Sequence, residues 1–183
     1  ATTVTRTVNV ADTGAPSITV SGTNPLNHEI NTSYIDAGAT ASDVVDGNLA
    51  SSSVDGGDTV NSSVLGTYVI TYDVVDSGSN PAPQQSRTVN VNDFTLPVIT
   101  LIGNDPINHE LGATFTDPGA SASDNVDGDI SINIVASGTV NTAIAGSYTR
   151  NYNVSDAAGN NAVTVTRTVV IADTTAPVIS LIG

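Results

Sequence analysis

Aspartate dominates the residues of this chain that could do chemistry. Of its 18 acids, only Glu29 and Glu110 are not Asp. The Asp residues fall in short, recurring strings: DNVDGD at 124–129 and DAAGN at 156–160, with DVVDGN at 43–48 and DSGSN at 76–80. Asp is both a turn former and a ligand for hard cations. Calcium takes six to eight oxygens at roughly 2.3–2.6 Å, which suits such strings better than the rigid octahedron of magnesium. Zinc is disfavoured, because there is no Cys and His28 and His109 stand far apart. The strings are not EF-hands: the D-x-D-x-D-G order is missing, and the twelfth residue from Asp124 is Val135 rather than Glu. Asp-Gly and Asp-Asn segments also form plain turns with solvated carboxylates, and that reading stands beside the cation one.

Catalysis finds no support. There is no phosphate loop, no HExxH and no nucleophile elbow. Glu29 and Glu110 do not form a glycosidase pair. His28 and His109 occupy one repeated position and read as caps on a surface turn. The chain is therefore expected not to be an enzyme.

Charge narrows the partners. Four Arg and no Lys against 18 acids give a formal net charge of -14. Nucleic acid and anionic membrane surfaces both need clustered positive charge, and neither is expected as a partner. No apolar run approaches the roughly 18 residues of a membrane span. Without Cys there are no disulfides.

A repeat of about eighty residues organises the chain. PSITVSG matches PVITLIG, NPLNHEI matches DPINHEL, and LGTYVITYDVVD matches AGSYTRNYNVSD. The copies differ by one residue in the stretch Ala50 to Asp58. Residues 1–11 match 162–172, and residues 173–183 match 93–103. The predicted organisation is a last strand at 1–11, a repeat at 12–92, a second at 93–172 and a first strand at 173–183. The chain reads as a window on a longer tandem array, with repeats end to end and a short linker around Asn92 and Asp93.

The local patterns are all β. Tyr68, Ile70, Tyr72 and Val74 alternate with polar residues, as do Tyr148, Tyr152 and Val154. Val163, Val165, Val169 and Ile171 alternate with Thr in the last strand. Turn residues punctuate the strands, and about seven short strands per repeat predict a β-sandwich. Tyr68 and Tyr148 stand where a tyrosine would pin the E–F corner. Arg6, Arg87 and Arg167 recur at one position, expected to pair with an acid or tyrosine nearby. Arg150 falls on the face that Ile70 occupies in the first copy, so its stem packs or that face is open. Asp36 and Asp117 read as turn residues.

The order APVI-L-G, DPGA-A-D, D-G-D-I, G-Y-Y-V-D, AGN and R-TV-V resembles the bacterial immunoglobulin-like repeats of cell-surface proteins. The resemblance implies an all-β fold of tandem immunoglobulin-like sandwiches in an extracellular or cell-surface protein. Such modules also accompany adhesins, secreted hydrolases and pesticidal crystal proteins.

On a sandwich of this type, strand A enters at the end that carries the B–C and F–G loops. Asp93, Asp124, Asp127, Asp129, Asp156 and Asn160 should then converge in the second repeat. Asp12, Asp43, Asp46, Asn48, Asp76 and Asn80 are the first-repeat set, expected to bind more weakly with one carboxylate fewer. Calcium (Ca2+) at these sets would stiffen the junctions. The leading function is a structural repeat of an adhesin stalk or filament, whose partners are neighbouring repeats or copies of the same protein. A fibre completed by strand exchange and a glycan-binding accessory module are the alternatives.

Overall fold

The structure, a computed structural model, describes residues 1–49, 59–181 and 183. The one-residue difference between the copies lies outside the described residues. The chain divides into two compact units, Ala1–Asp93 and Phe94–Gly183.

In the first unit the described strands are β1 (Ser17–Val20), β2 (Leu26–Glu29), β3 (Ala39–Asp43), β4 (Gly47–Leu49), β5 (Gly66–Tyr72) and β6 (Gln85–Asn92). One sheet runs β1-β3-β4 and the other β2-β6-β5. β2 joins β6 in parallel, and every other pair is antiparallel. The second unit repeats the plan with β7 (Val98–Leu101), β8 (Ile107–Glu110), β9 (Ala120–Asp124), β10 (Gly128–Asp129), β11 (Val135–Ser137), β12 (Gly146–Asn153) and β13 (Val165–Ala172). Its sheets run β7-β9-β10 and β8-β13-β12-β11. A 3-10 turn, Ser131–Asn133, lies between β10 and β11, where the chain passes from one sheet to the other. Residues 1–16 and 173–181 carry no strand.

The period-two pattern explains the core. Ile70 and Tyr72 of β5 and Val89 and Val91 of β6 point inward and meet Ala39 of β3. In the second unit Tyr152 meets Ile99 of β7 and Ala122 of β9. These residues come from both sheets, so each unit is a sandwich. Tyr68 and Tyr148 each donate from the hydroxyl to a backbone carbonyl four residues upstream, Val64 and Ile144, at 2.9 Å. That is the corner pin the sequence predicts.

The core also contains arginine. Arg87 and Arg167 are 1% and 0% exposed. They share the inward face of the last strand with valine and isoleucine. A buried guanidinium is tolerable only with acceptors around it. Arg87 Nη1 donates to Asp36 Oδ1 at 2.6 Å, and the Tyr72 hydroxyl donates to the same carboxylate at 2.8 Å. Arg167 Nη1 donates to Asp117 Oδ1 at 2.7 Å and Tyr152 donates to Asp117 at 2.7 Å, while Arg167 Nη2 donates to the Ile102 carbonyl. Asp36 and Asp117 are thus the counterions of the core and not turn residues alone, although Asp117 does also accept from the Gly119 amide at 3.1 Å.

Burial pulls the Asp117 carboxyl upward in pKa, but hydrogen bonds from Tyr152, the Gly119 amide, Arg150 and Arg167 outweigh it and hold it below the ordinary value. Burial, with hydrogen bonding to Asp36, pushes the Tyr72 hydroxyl up to about 12.

Removing one member of such a pair leaves a buried charge without its partner, which costs about 3–5 kcal/mol. Arg87→Ala should destabilise the first repeat by that amount. Arg167→Ala should fall at the lower end, because Arg150 still contacts Asp117 at 3.1 Å. Native-state hydrogen exchange at the Val89 and Val169 amides of the whole chain would read each repeat separately. Equal and negligible losses would contradict the assignment.

Candidate metal centre

The acid strings fold as tight hairpins followed by a second loop from the opposite sheet. β3 and β4 pair Asp43 with Gly47, and β9 and β10 pair Asp124 with Gly128. The segment expected as an inter-sheet B–C loop is therefore a same-sheet hairpin. Gly47 and Gly128 sit at φ 72° and 71°, a left-handed conformation that glycine adopts without strain. In the turn itself, Asp43 Oδ1 accepts from the Val45 and Asp46 amides at 2.7 and 3.2 Å. Asp124 Oδ1 does the same with Val126 and Asp127.

The loop before β6 meets this hairpin. Asp46 accepts from the Ser77 amide at 2.8 Å and from the Ser77 hydroxyl at 2.7 Å. Asp127 accepts from the Ala157 amide at 2.7 Å, where alanine has no hydroxyl to add. Within the loop, Asp76 accepts from the Asn80 amide at 2.7 Å and from Asn80 Nδ2 at 2.9 Å. Asp156 and Asn160 repeat both bonds. Asn80 and Asn160 hold these aspartates as donors. These bonds use the Nδ2 end of each amide. Ser79 sits at φ 68°, where the second repeat has Gly159 at φ 92°, so the first-repeat loop keeps its shape against the preference of a non-glycine residue.

Asp12, Asp43, Asp46 and Asp76 each bring one carboxylate oxygen to within 4.8 Å of the others. Asp12 arrives from the chain entering the repeat. Its Oδ1 accepts from the Gly14 amide at 3.0 Å, and its backbone carbonyl accepts from Asn80 Nδ2 at 3.2 Å. Its Oδ2 is buried and has no hydrogen-bond partner. In the second repeat Asp124 and Asp127 approach in the same way, and Asp124 Oδ2 is likewise buried and unpartnered. Asp93, the last residue of the first unit, is buried.

Three of the predicted residues stand outside these groups: Asp156, bonded to Asn160 within its own loop, Asp129 and Asn48. Asp129 turns to Ser131, accepting from its amide at 2.9 Å and its hydroxyl at 2.6 Å, and these bonds hold its pKa low. Asn48, its counterpart, is exposed on β4. The expected carboxylate deficit of the first repeat rested on this position, and it disappears. The four-carboxylate group stands in the first repeat. His28 and His109 lie 3.2 and 3.3 Å from the Thr32 and Ala113 carbonyls and pack edge-on against Tyr34 and Phe115, in keeping with turn caps.

Opposing forces set the protonation of Asp43. Desolvation favours the neutral acid, while donated amides favour the anion. The Val45 and Asp46 amides prevail and lower its pKa. Its contribution to stability is thus present above the unfolded-state value and lost as pH falls through the lowered one. A carbon-13 NMR titration in chelator should place the Asp43 midpoint below the ordinary aspartate value. A raised midpoint would show that the donated amides do not prevail.

A family model described as "Bacterial surface protein, Ig-like domain" matches residues 18–91 and 99–171. The chain is 34% identical over 128 residues to the pesticidal crystal protein Cry22Aa of Bacillus thuringiensis, an alignment covering 67% of this chain and 17% of that protein. It is 32% identical to the lipoprotein BT2262 of Bacteroides thetaiotaomicron, with a TM-score of 0.39 over 45% of this chain and 40% of that one.

Proposed function

The chain belongs to the bacterial surface immunoglobulin-like family, and from that premise we propose that it is a structural tandem repeat of an extracellular surface protein, of the stalk or filament kind, reinforced by calcium at its aspartate groups. One observation supports this most directly. Four carboxylates lie within 4.8 Å in the first repeat, and one of them, Asp12, buries an oxygen that no protein donor satisfies. Buried polar atoms are otherwise almost always paired. Oxygen ligands with no competing Cys, at a site built of turns, fit a hard and geometrically tolerant cation.

The mechanical consequence follows from where the ligands originate. Asp12 belongs to the segment entering the repeat, Asp43 and Asp46 to the β3–β4 hairpin, and Asp76 to the loop before β6. A cation held by all of them fastens the incoming chain to both sheets. Pulling on that chain then strains metal–carboxylate bonds before it peels β1. The partners in this reading are neighbouring repeats or other copies of the chain. Residues 1–11 repeat the sequence of the last strand, and their Val4 and Val10 are 92% and 94% exposed, so they offer apolar surface to such a partner.

Extracellular modules bind calcium with Kd of about 10⁻⁴–10⁻³ M, which millimolar calcium outside cells saturates. Binding only the folded state raises stability by RT ln(1 + [L]/Kd), about 2.7 kcal/mol at a hundredfold excess. Titration calorimetry should register calcium uptake, and chelator should lower the melting temperature. Asp46→Ala should abolish most of the first repeat's calcium response, and Asp127→Ala that of the second. No uptake at millimolar calcium, together with a melting point indifferent to chelator, would reduce the acids to turn formers.

A further inference from the structure

We propose that a cavity of the second repeat binds a small carboxylate-bearing sugar, with Arg150 receiving the carboxylate. The cavity is about 440 Å³, lined by Thr114, Phe115, Asp117, Val140, Thr142 and Arg150 among others. Small-ligand sites run from about 300 to 1,000 Å³.

Its charge runs against the rest of the chain. Arg150 on β12 stands directly opposite Arg167 on β13. Facing like charges on neighbouring strands are destabilising, and here one carboxylate, Asp117, serves both guanidiniums. Two positive groups on one negative group leave a surplus positive charge, in a protein whose formal net charge is -14. Arg167 is sealed in the core with no exposed side-chain area, whereas the Arg150 side chain is 22% exposed. The surplus therefore reaches solvent through Arg150. Its Nε donates to Asp117 at 3.1 Å and its Nη1 to the Gly138 carbonyl. Among the described residues its Nη2 takes no protein acceptor, so an end of the guanidinium fork stays available to an anion. Guanidinium–carboxylate bonds are among the strongest and most directional polar contacts.

The remaining lining points to a sugar acid and away from a bare anion. Thr114 and Thr142 bring hydroxyls that can pair with those of a sugar. Phe115 and Val140 supply apolar wall for the C–H faces of a ring. The first repeat lacks the decisive group: Ile70 stands at the Arg150 position, paired with Arg87 and 1% exposed. Arg87 there has Asp36 as its counterion and leaves no surplus.

The test uses amide NMR on the whole chain with D-glucuronate, glucose and acetate as probes. Glucuronate should shift Thr114, Phe115 and Arg150 and leave the equivalent first-repeat positions, Ser33, Tyr34 and Ile70, unmoved. Glucose and acetate should each bind about tenfold more weakly, since each lacks one half of the recognition. Arg150→Ile copies the residue the first repeat uses and keeps the Arg167–Asp117 pair, and it should weaken glucuronate about tenfold or more. Arg150→Lys, keeping charge without the fork, should fall between. Acetate binding as well as glucuronate would overturn the sugar assignment. So would the absence of shifts in the unmodified chain at about 10 mM glucuronate, or undiminished binding by Arg150→Ile.

Discussion

Like charges held close together are the constraint on which the architecture of each repeat end depends. Nothing in a short β-hairpin obliges three or four aspartates to face one point, and their repulsion favours a looser loop. Backbone donors resist that tendency. Asp43 and Asp124 take amides from their own turns, and Asp76 and Asp156 each take an amide from their own loop. The Asp46–Ser77 and Asp127–Ala157 bonds then tie hairpin to loop. This network organises the oxygens in advance of a ligand, which lowers the ordering cost of binding. It does not satisfy Asp12 Oδ2 or Asp124 Oδ2. Those atoms are where the protein's own hydrogen bonding stops.

The opposite charge problem lies in the core. Each sandwich has few aromatics and no disulfide. It instead places one arginine among the valines of the last strand and surrounds it with a carboxylate and a tyrosine hydroxyl. The carboxylate comes from the segment before β3 or β9, so the ion pair crosses from one sheet to the segment leading into the other. Such a pair adds little net stability over a hydrophobic substitute, but it penalises any register that leaves it unpaired. The second repeat departs from this balance by adding Arg150, and a surplus charge at the surface is the result.

Much of this was legible in the sequence. The repeat, the period-two strands and the Gly-x-Tyr corners each have local chemistry that specifies them. Two things were not. Asp117 sits in a Thr-Asp-Pro-Gly string that reads as a turn, and it does cap one. Its second role depends on Arg167, fifty residues away, and no local pattern encodes that distance. The DNVDGD string shows where acids gather but not which way each points. Asp127 lies in the turn, whereas Asp129 lies on β10 and bonds to Ser131. Reading the string as a loop and not as a hairpin hid that division between turn and strand. The asparagine amides posed a similar problem, since residue type alone does not tell donor from acceptor.

The central claim is that a cation sits among Asp12, Asp43, Asp46 and Asp76. A crystal of this chain grown in calcium chloride, with anomalous scattering measured at a long wavelength, addresses it directly. An anomalous peak is expected at about 2.3–2.6 Å from Asp12 Oδ2 and from oxygens of the other three aspartates. A featureless map there, or a water at hydrogen-bond distance without anomalous signal, would contradict it.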